Sequence, residues 1–173
     1  VSLFDKKVRV GGHSKGGNLS ICAVMNAHFW IRKKVIKITN FDGPGFLKKE
    51  IDSKAYKKIE PKINMYVPKE SIIGMLFYNI SDYIVVKSKG INIFQHDAFN
   101  WQCQNTELIR DTQNKRSKNL QKKLTKKLEE LSIEERINLV KKLFSIFKNN
   151  NIKDTKEIKL KEIFKLIKEF KKL

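Results

Sequence analysis

A short β-prone run, residues 7–10 (KVRV), ends in Gly11-Gly12, and residues 18–28 (NLSICAVMNAH) carry apolar side chains at helical spacing, with Leu19, Cys22, Ala23 and Ala27 on one face. Between them lies the glycine-rich stretch GGHSKGGN. A strand that turns into a helix within so few residues constrains this chain more than any other feature. Gly12-His13-Ser14-Lys15-Gly16 matches G-x-S-x-G, in which a serine sits at the tip of a sharp strand-to-helix turn. The spacing has a steric basis: side chains two positions either side of the serine are expected to meet neighbouring backbone, so Gly12 and Gly16 stand there. The turn would lift the Ser14 oxygen above the sheet and aim the Lys15 backbone N–H at an oxyanion, beside the start of the helix. The P-loop pattern G-x-x-x-x-G-K-[ST] is absent, so a phosphate cradle is the weaker reading.

Downstream, strand-like and helix-like segments alternate. Residues 35–39 (VIKIT), 62–67 (KINMYV) and 83–87 (YIVVK) read as strands, and residues 91–94 as a fifth, joined to the fourth by a hairpin at Gly90. Residues 47–59 read as one helix stopped by Pro61. This alternation indicates a mostly parallel α/β sheet. From Thr106 onward the patterns are helical. Leu120, Leu124, Leu128 and Leu131 repeat through one helix, Ser132 and Glu135 form a capping box, and two further amphipathic helices carry Ile133, Ile137, Val140, Phe144 and Phe147, then Leu160, Ile163, Phe164, Ile167 and Phe170. The expected domains are an α/β core over residues 1–103 and an amphipathic helical tail over residues 104–173, packed on the core or on a partner.

A serine at such a turn needs a base, and in α/β-hydrolases the order along the chain is serine, acid, histidine. His13 lies inside the turn and His28 at the end of the helix, so His96, on the loop after the last strand, is the candidate base. Two acids remain open. Asp42 follows VIKIT in the loop NFDGPG, at the strand edge where parallel sheets collect reactive groups. Glu70 follows the next strand behind Pro68, and Asp82 and Asp97 are weaker candidates. Met75, Leu76, Phe77 and Phe99 could line an acyl pocket, although core packing is the commoner fate of such side chains.

Composition limits the other classes. The chain has 173 residues with 37 Lys+Arg against 18 Asp+Glu, a formal net charge of +19. The excess is spread along the chain, with 17 basic and 8 acidic residues in 1–103 and 20 and 10 in 104–173. Nearly all the basic residues are Lys, whereas base reading and phosphate forks favour Arg. The charge implies non-specific anion binding; a dedicated nucleic-acid or membrane-surface protein is an alternative reading. Cys22 and Cys103 are read as reduced, which together with the charged start points to the cytoplasm. No run is apolar enough to span a membrane. No metal-ligand spacing is present, and ester hydrolysis needs no cofactor.

The combination GHSKGGN, FDGPGF (41–46), VPKESIIGML (67–76), YIVVKS (83–88) and QHDAFNWQ (95–102) resembles the Mbeg-like family of bacterial lipase-like α/β-hydrolases. The resemblance covers residues 4–103 and extends more loosely into the tail. It implies Ser14 as nucleophile and His96 as base. ITNFDGPGF is also similar to the loop that carries the triad acid in pancreatic-type lipases, which favours Asp42. In fungal-type lipases the acid precedes a Val-Pro, where Met65 and Tyr66 stand here. Only thirteen residues precede Ser14, so the chain is expected to be the C-terminal half of an α/β-hydrolase with a helical tail. The first strands and the second oxyanion donor would come from a missing N-terminal half or a second subunit. The leading expectation is a serine hydrolase acting on an acyl or lipid ester; the alternative is a non-catalytic remnant serving as a binding module.

Overall fold

Four parallel strands form the sheet, in the order β1 (Val8–His13), β2 (Val35–Phe41), β3 (Ile63–Pro68) and β4 (Ile84–Val86). This computed structural model describes residues 6–138 and Lys141. The connection from β1 to β2 runs through helices α1 (Lys15–Asn26) and α2 (Phe29–Lys34), and that from β2 to β3 through α3 (Lys48–Ile51) and α4 (Lys54–Ile59). Parallel neighbours need such crossovers, because the chain must return to the same end of the sheet each time. The alternation therefore yields the α/β core expected from the sequence, with β1 at one edge of the sheet among the described residues.

Helix α1 lies against β1 and β2, and the face it buries differs from the one read from periodicity. Gly17, Ile21 and Val24 are buried, whereas Leu19 is half exposed at 51%. Close approach fixes this rotation. A Cβ at Gly17 would stand 2.0 Å from Asn40 Oδ1 and 2.8 Å from the Gly12 carbonyl oxygen. A Cβ at Gly12 would stand 2.5 Å from the Gly16 carbonyl carbon. Helix and sheet touch backbone to backbone here, and Ile21 and Val24 follow Gly17 onto the inner face. They join Ile38, Ile59, Met65 and Val67 in one apolar core. Gly16 departs from expectation: a Cβ there would meet nothing within 4 Å. The clash at the elbow falls on Gly12 and Gly17, not on the second glycine of the motif.

Other segments also differ. The expected helix over residues 47–59 is broken, and Ser53 starts the second piece by accepting from the Tyr56 N–H at 3.2 Å. Residues 91–94 do not form a strand and Gly90 makes no hairpin; residues Asn92–His96 form a 3₁₀ turn. Past Trp101 the chain is not yet helical. Strands β5 (Cys103–Gln104) and β6 (Glu107–Leu108) pair with each other, and the Lys87 N–H and Asp111 N–H bond to the carbonyls of Ile109 and Val85, both at 2.9 Å. These short pairings are held by β4 rather than by local preference, so they carry no periodic signal.

The chain divides into two compact units, residues 1–121 and 122–173. Helix α5 (Lys115–Glu130) begins in the first and carries buried Leu124 and Leu128 in the second. The capping box forms: the Glu135 N–H donates to Ser132 Oγ at 3.2 Å and the Ser132 N–H to Glu135 Oε2 at 2.7 Å. Ile133 and Ile137, expected on an apolar face, are exposed at 73% and 47%. The expected apolar positions Val140, Phe144 and Phe147, and the helix from Leu160 to Phe170, lie outside the described residues. Among the described residues no helix is long and apolar enough to cross a membrane.

The two glycines of the elbow separate cleanly by mutation. Gly17→Ala overpacks the helix–sheet contact and is expected to cost about 2–3 kcal/mol or more. Gly16→Ala has open space and gains helix propensity, so its stability should be unchanged or higher by about 0.5–1 kcal/mol. Thermal melts of the two variants check this; equal losses would contradict it.

Candidate active site

Ser14 joins the end of β1 to the start of α1 with φ 56° and ψ −129°. This is a backbone region that residues with a side chain rarely enter, at a typical cost of about 1–3 kcal/mol. The surroundings over-determine it. The Ser14 N–H donates to the Phe41 carbonyl at 2.9 Å, and the Ser14 carbonyl accepts from the Gly17 N–H at 2.9 Å. The Lys15 N–H opens the twelve-residue helix α1, at the end where the helix dipole is positive.

The loop after β2 folds over this turn. Asn40, fully buried, accepts from the Gly43 N–H at 2.8 Å, and Asn18 Nδ2 donates to the Pro44 and Gly45 carbonyls at 3.0 and 3.1 Å. Asp42 takes φ 52°, a left-handed conformation that Asp tolerates better than most residues. Its N–H donates to the Tyr66 carbonyl at 2.8 Å, so the β2–β3 ladder runs up to the carboxyl-bearing residue. The carboxylate has no solvent exposure. Oδ1 accepts from the Ser71 hydroxyl, and Oδ2 lies 2.7 Å from His96 Nδ1. The other ring nitrogen of His96, Nε2, lies 2.9 Å from Ser14 Oγ.

Ser14, His96 and Asp42, spread over 82 residues of chain, thus share one line of hydrogen bonds. A carboxylate only accepts, so Nδ1 carries the imidazole proton and Nε2 is left to accept from the Ser14 hydroxyl. A hydroxyl tied in this way to a carboxylate-bound imidazole can lose its proton as it attacks a carbonyl carbon.

Glu70 lies elsewhere. Its Oε2 accepts from Gln95 Nε2 at 3.2 Å while its N–H donates to Gln95 Oε1 at 3.0 Å. Glu70 thereby fixes the residue before His96 and makes no bond to the imidazole among those described. Trp101 Nε1 adds a bond to the Gln95 carbonyl at 2.8 Å. Asp97 accepts from the Phe99 N–H at 3.0 Å and Asp82 is exposed. Of the apolar residues proposed for an acyl pocket, Met75 belongs to the core and Phe99 is 93% exposed. Among the described residues no three His, Cys, Asp or Glu side chains come together to hold a metal ion.

Ser71 and Asn40 had no sequence signature. A buried hydroxyl is what a buried carboxylate needs on its second oxygen, and Ser71 supplies it. Only the loop geometry reveals that pairing.

Burial pushes the Asp42 carboxyl above its ordinary value of 3.8, against the opposing pull of the His96 hydrogen bond and charge, the Ser71 hydroxyl and the His13 charge. The native state therefore holds this proton more tightly than the unfolded chain does. The stability it contributes is complete below the ordinary value and is lost as pH rises through the native one. Denaturant unfolding of wild type and Asp42→Asn between about pH 3 and 7 should show the wild type losing stability relative to the variant as pH rises. A pH-independent difference would contradict the direction of the shift.

No curated protein and no solved structure matches the chain. A family model described as Mbeg1-like matches residues 1–145 of the 173, with the glycine-rich turn, the Asp42 loop and the His96 loop all inside the matched region, and the chain belongs to that family.

Proposed function

We propose that the chain carries the site of a serine hydrolase, lipase- or esterase-like, that cleaves an acyl or lipid ester. The observation that carries this reading is the hydrogen-bonded line Ser14 Oγ–His96 Nε2–His96 Nδ1–Asp42 Oδ2, at 2.9 and 2.7 Å. The strained backbone at Ser14 and the Mbeg-like resemblance support it.

The steps follow from the atoms. Ser14 Oγ attacks the ester carbonyl carbon as His96 Nε2 takes the hydroxyl proton. Asp42, facing Nδ1–H, stabilises the imidazolium and fixes its tautomer. The carbonyl oxygen becomes an oxyanion, which the Lys15 N–H at the start of α1 would receive. The tetrahedral intermediate collapses, and the leaving alkoxide takes the proton from His96 Nε2 and departs as an alcohol. Water then enters: His96 Nε2 removes its proton as it attacks the acyl carbon, returns that proton to Ser14 Oγ as this oxygen leaves, and the acid product is released. An ester suits this chemistry because its alkoxide leaves more readily than an amide nitrogen and is neutralised by the one proton that His96 carries.

Covalent labelling by a fluorophosphonate tests the nucleophile and base together. Labelling is expected in the wild type and lost in Ser14→Ala and His96→Ala. Asp42→Asn, in which His96 is held in the wrong tautomer, should slow it by roughly 10⁴-fold. Glu70→Gln keeps an amide partner for Gln95 and should stay within about threefold of wild type. Folded wild-type protein that is not labelled would favour a non-catalytic module, and a large loss in Glu70→Gln would move the acid away from Asp42.

A further inference from the structure

His13 stands beside Ser14 and takes no part in the proton path, yet it touches His96 twice. We propose that His13 is a positioning residue: it clamps the main chain and ring of His96 to the end of β1, so that one strand end sets the distance between nucleophile and base. This inference rests on the roles given above to Ser14 and His96.

His13 is the last residue of β1 and pairs in register with Phe41 of β2, whose carbonyl also receives the Ser14 N–H. Its Nε2 lies 2.6 Å from the His96 carbonyl oxygen. A carbonyl only accepts, so His13 Nε2 carries a proton and donates it. The two rings lie with centroids 4.6 Å apart and planes inclined at 37°. His96 is thus held at Nδ1 by Asp42, at Nε2 by Ser14, and at its ring face and carbonyl by His13.

The need for such a hold follows from where His96 sits. It ends a 3₁₀ turn in a loop, not a strand or long helix. The nearest other anchors act one residue earlier, on Gln95 through Glu70 and Trp101. An error of about 1 Å in the placement of a reacting group can cost about 100-fold in rate. His13 is exposed, so its ring does not serve core packing. Its hydrogen bond spans 83 residues of sequence and ends on the backbone of the base itself.

The test compares His13→Ala, which removes ring and donor, with His13→Gln, whose amide N–H can reach the same carbonyl. With a fluorophosphonate probe and a p-nitrophenyl ester, His13→Ala should label and turn over about tenfold more slowly, the value of one hydrogen bond. The loss should fall on kcat and leave KM unchanged. His13→Gln should recover to within about threefold. Should His13→Ala fail to fold, His13→Phe, a ring without a donor, takes its place with the same expectation. Wild-type rates in the donorless variant, or no recovery in His13→Gln, would overturn the clamp.

A second readout does not need turnover. The His96 Nε2 nitrogen NMR signal should respond to Ser14→Ala in the wild-type and His13→Gln backgrounds and not in His13→Ala. A response of the same size in all three would overturn the proposal. If wild-type protein is not labelled, the hydrolase reading fails, and the clamp is judged on this signal alone.

Discussion

A carboxylate shut away from water must be held by whatever it touches, and the site is arranged around that constraint at Asp42. One oxygen receives the Ser71 hydroxyl and the other faces the His96 ring. Gly74 passes so close that a Cβ there would stand 2.1 Å from Oδ1. Burial raises the cost of the negative charge, and the same burial keeps water from competing for the imidazole. The carboxylate is therefore most stable when His96 presents Nδ1–H to it, and that demand sets the tautomer through which Ser14 is engaged. Each oxygen has its donor, so the buried charge is not left unpaired.

The sheet delivers the three side chains to one edge. In a parallel sheet every strand ends on the same side, and β1, β2 and β3 end at His13, Phe41 and Pro68. Ser14 follows the first end, Asp42 the second, and Ser71 lies three residues past the third. Backbone contacts then lock these ends together. The Ser14 N–H reaches the Phe41 carbonyl, the Asp42 N–H reaches the Tyr66 carbonyl, and Asn18 of α1 reaches back to Pro44 and Gly45. The strain at Ser14 is offset by these bonds and by the bare backbone contact of Gly12 with Gly16. Of Ser14, Asp42 and His96, His96 alone does not directly follow a strand end, which is why its anchors, Gln95 through Glu70 and Trp101, and His13, matter to its position.

What was legible in the sequence divides along the same physical line. Strand ends and their turns have local signatures, so the Ser14 turn could be read from GGHSKGGN and the Asp42 loop from NFDGPG. Chain order singles out His96 as the candidate base, and its ring lies between Asp42 and Ser14. Features fixed by tertiary contact were not legible. Periodicity gave α1 the wrong inner face because Gly17, with no side chain, scores as nothing on an apolar scale yet sets the closest approach. Gly16 fitted a motif but has space around it. The segment 91–94 (INIF) reads as a strand because Ile91, Ile93 and Phe94 are β-prone, whereas Asn92–His96 forms a 3₁₀ turn. Glu70 sits in a plausible place for an acid, and only the geometry shows one of its carboxylate oxygens accepting from Gln95 and the other from Asn114.

The central claim is that a buried Asp42 holds the Nδ1 proton of His96. Proton NMR of the folded chain tests it most directly. A strongly deshielded imidazole N–H resonance is predicted, kept in Glu70→Gln and lost in Asp42→Asn. A resonance that survives Asp42→Asn, or one that depends on Glu70, would contradict the account.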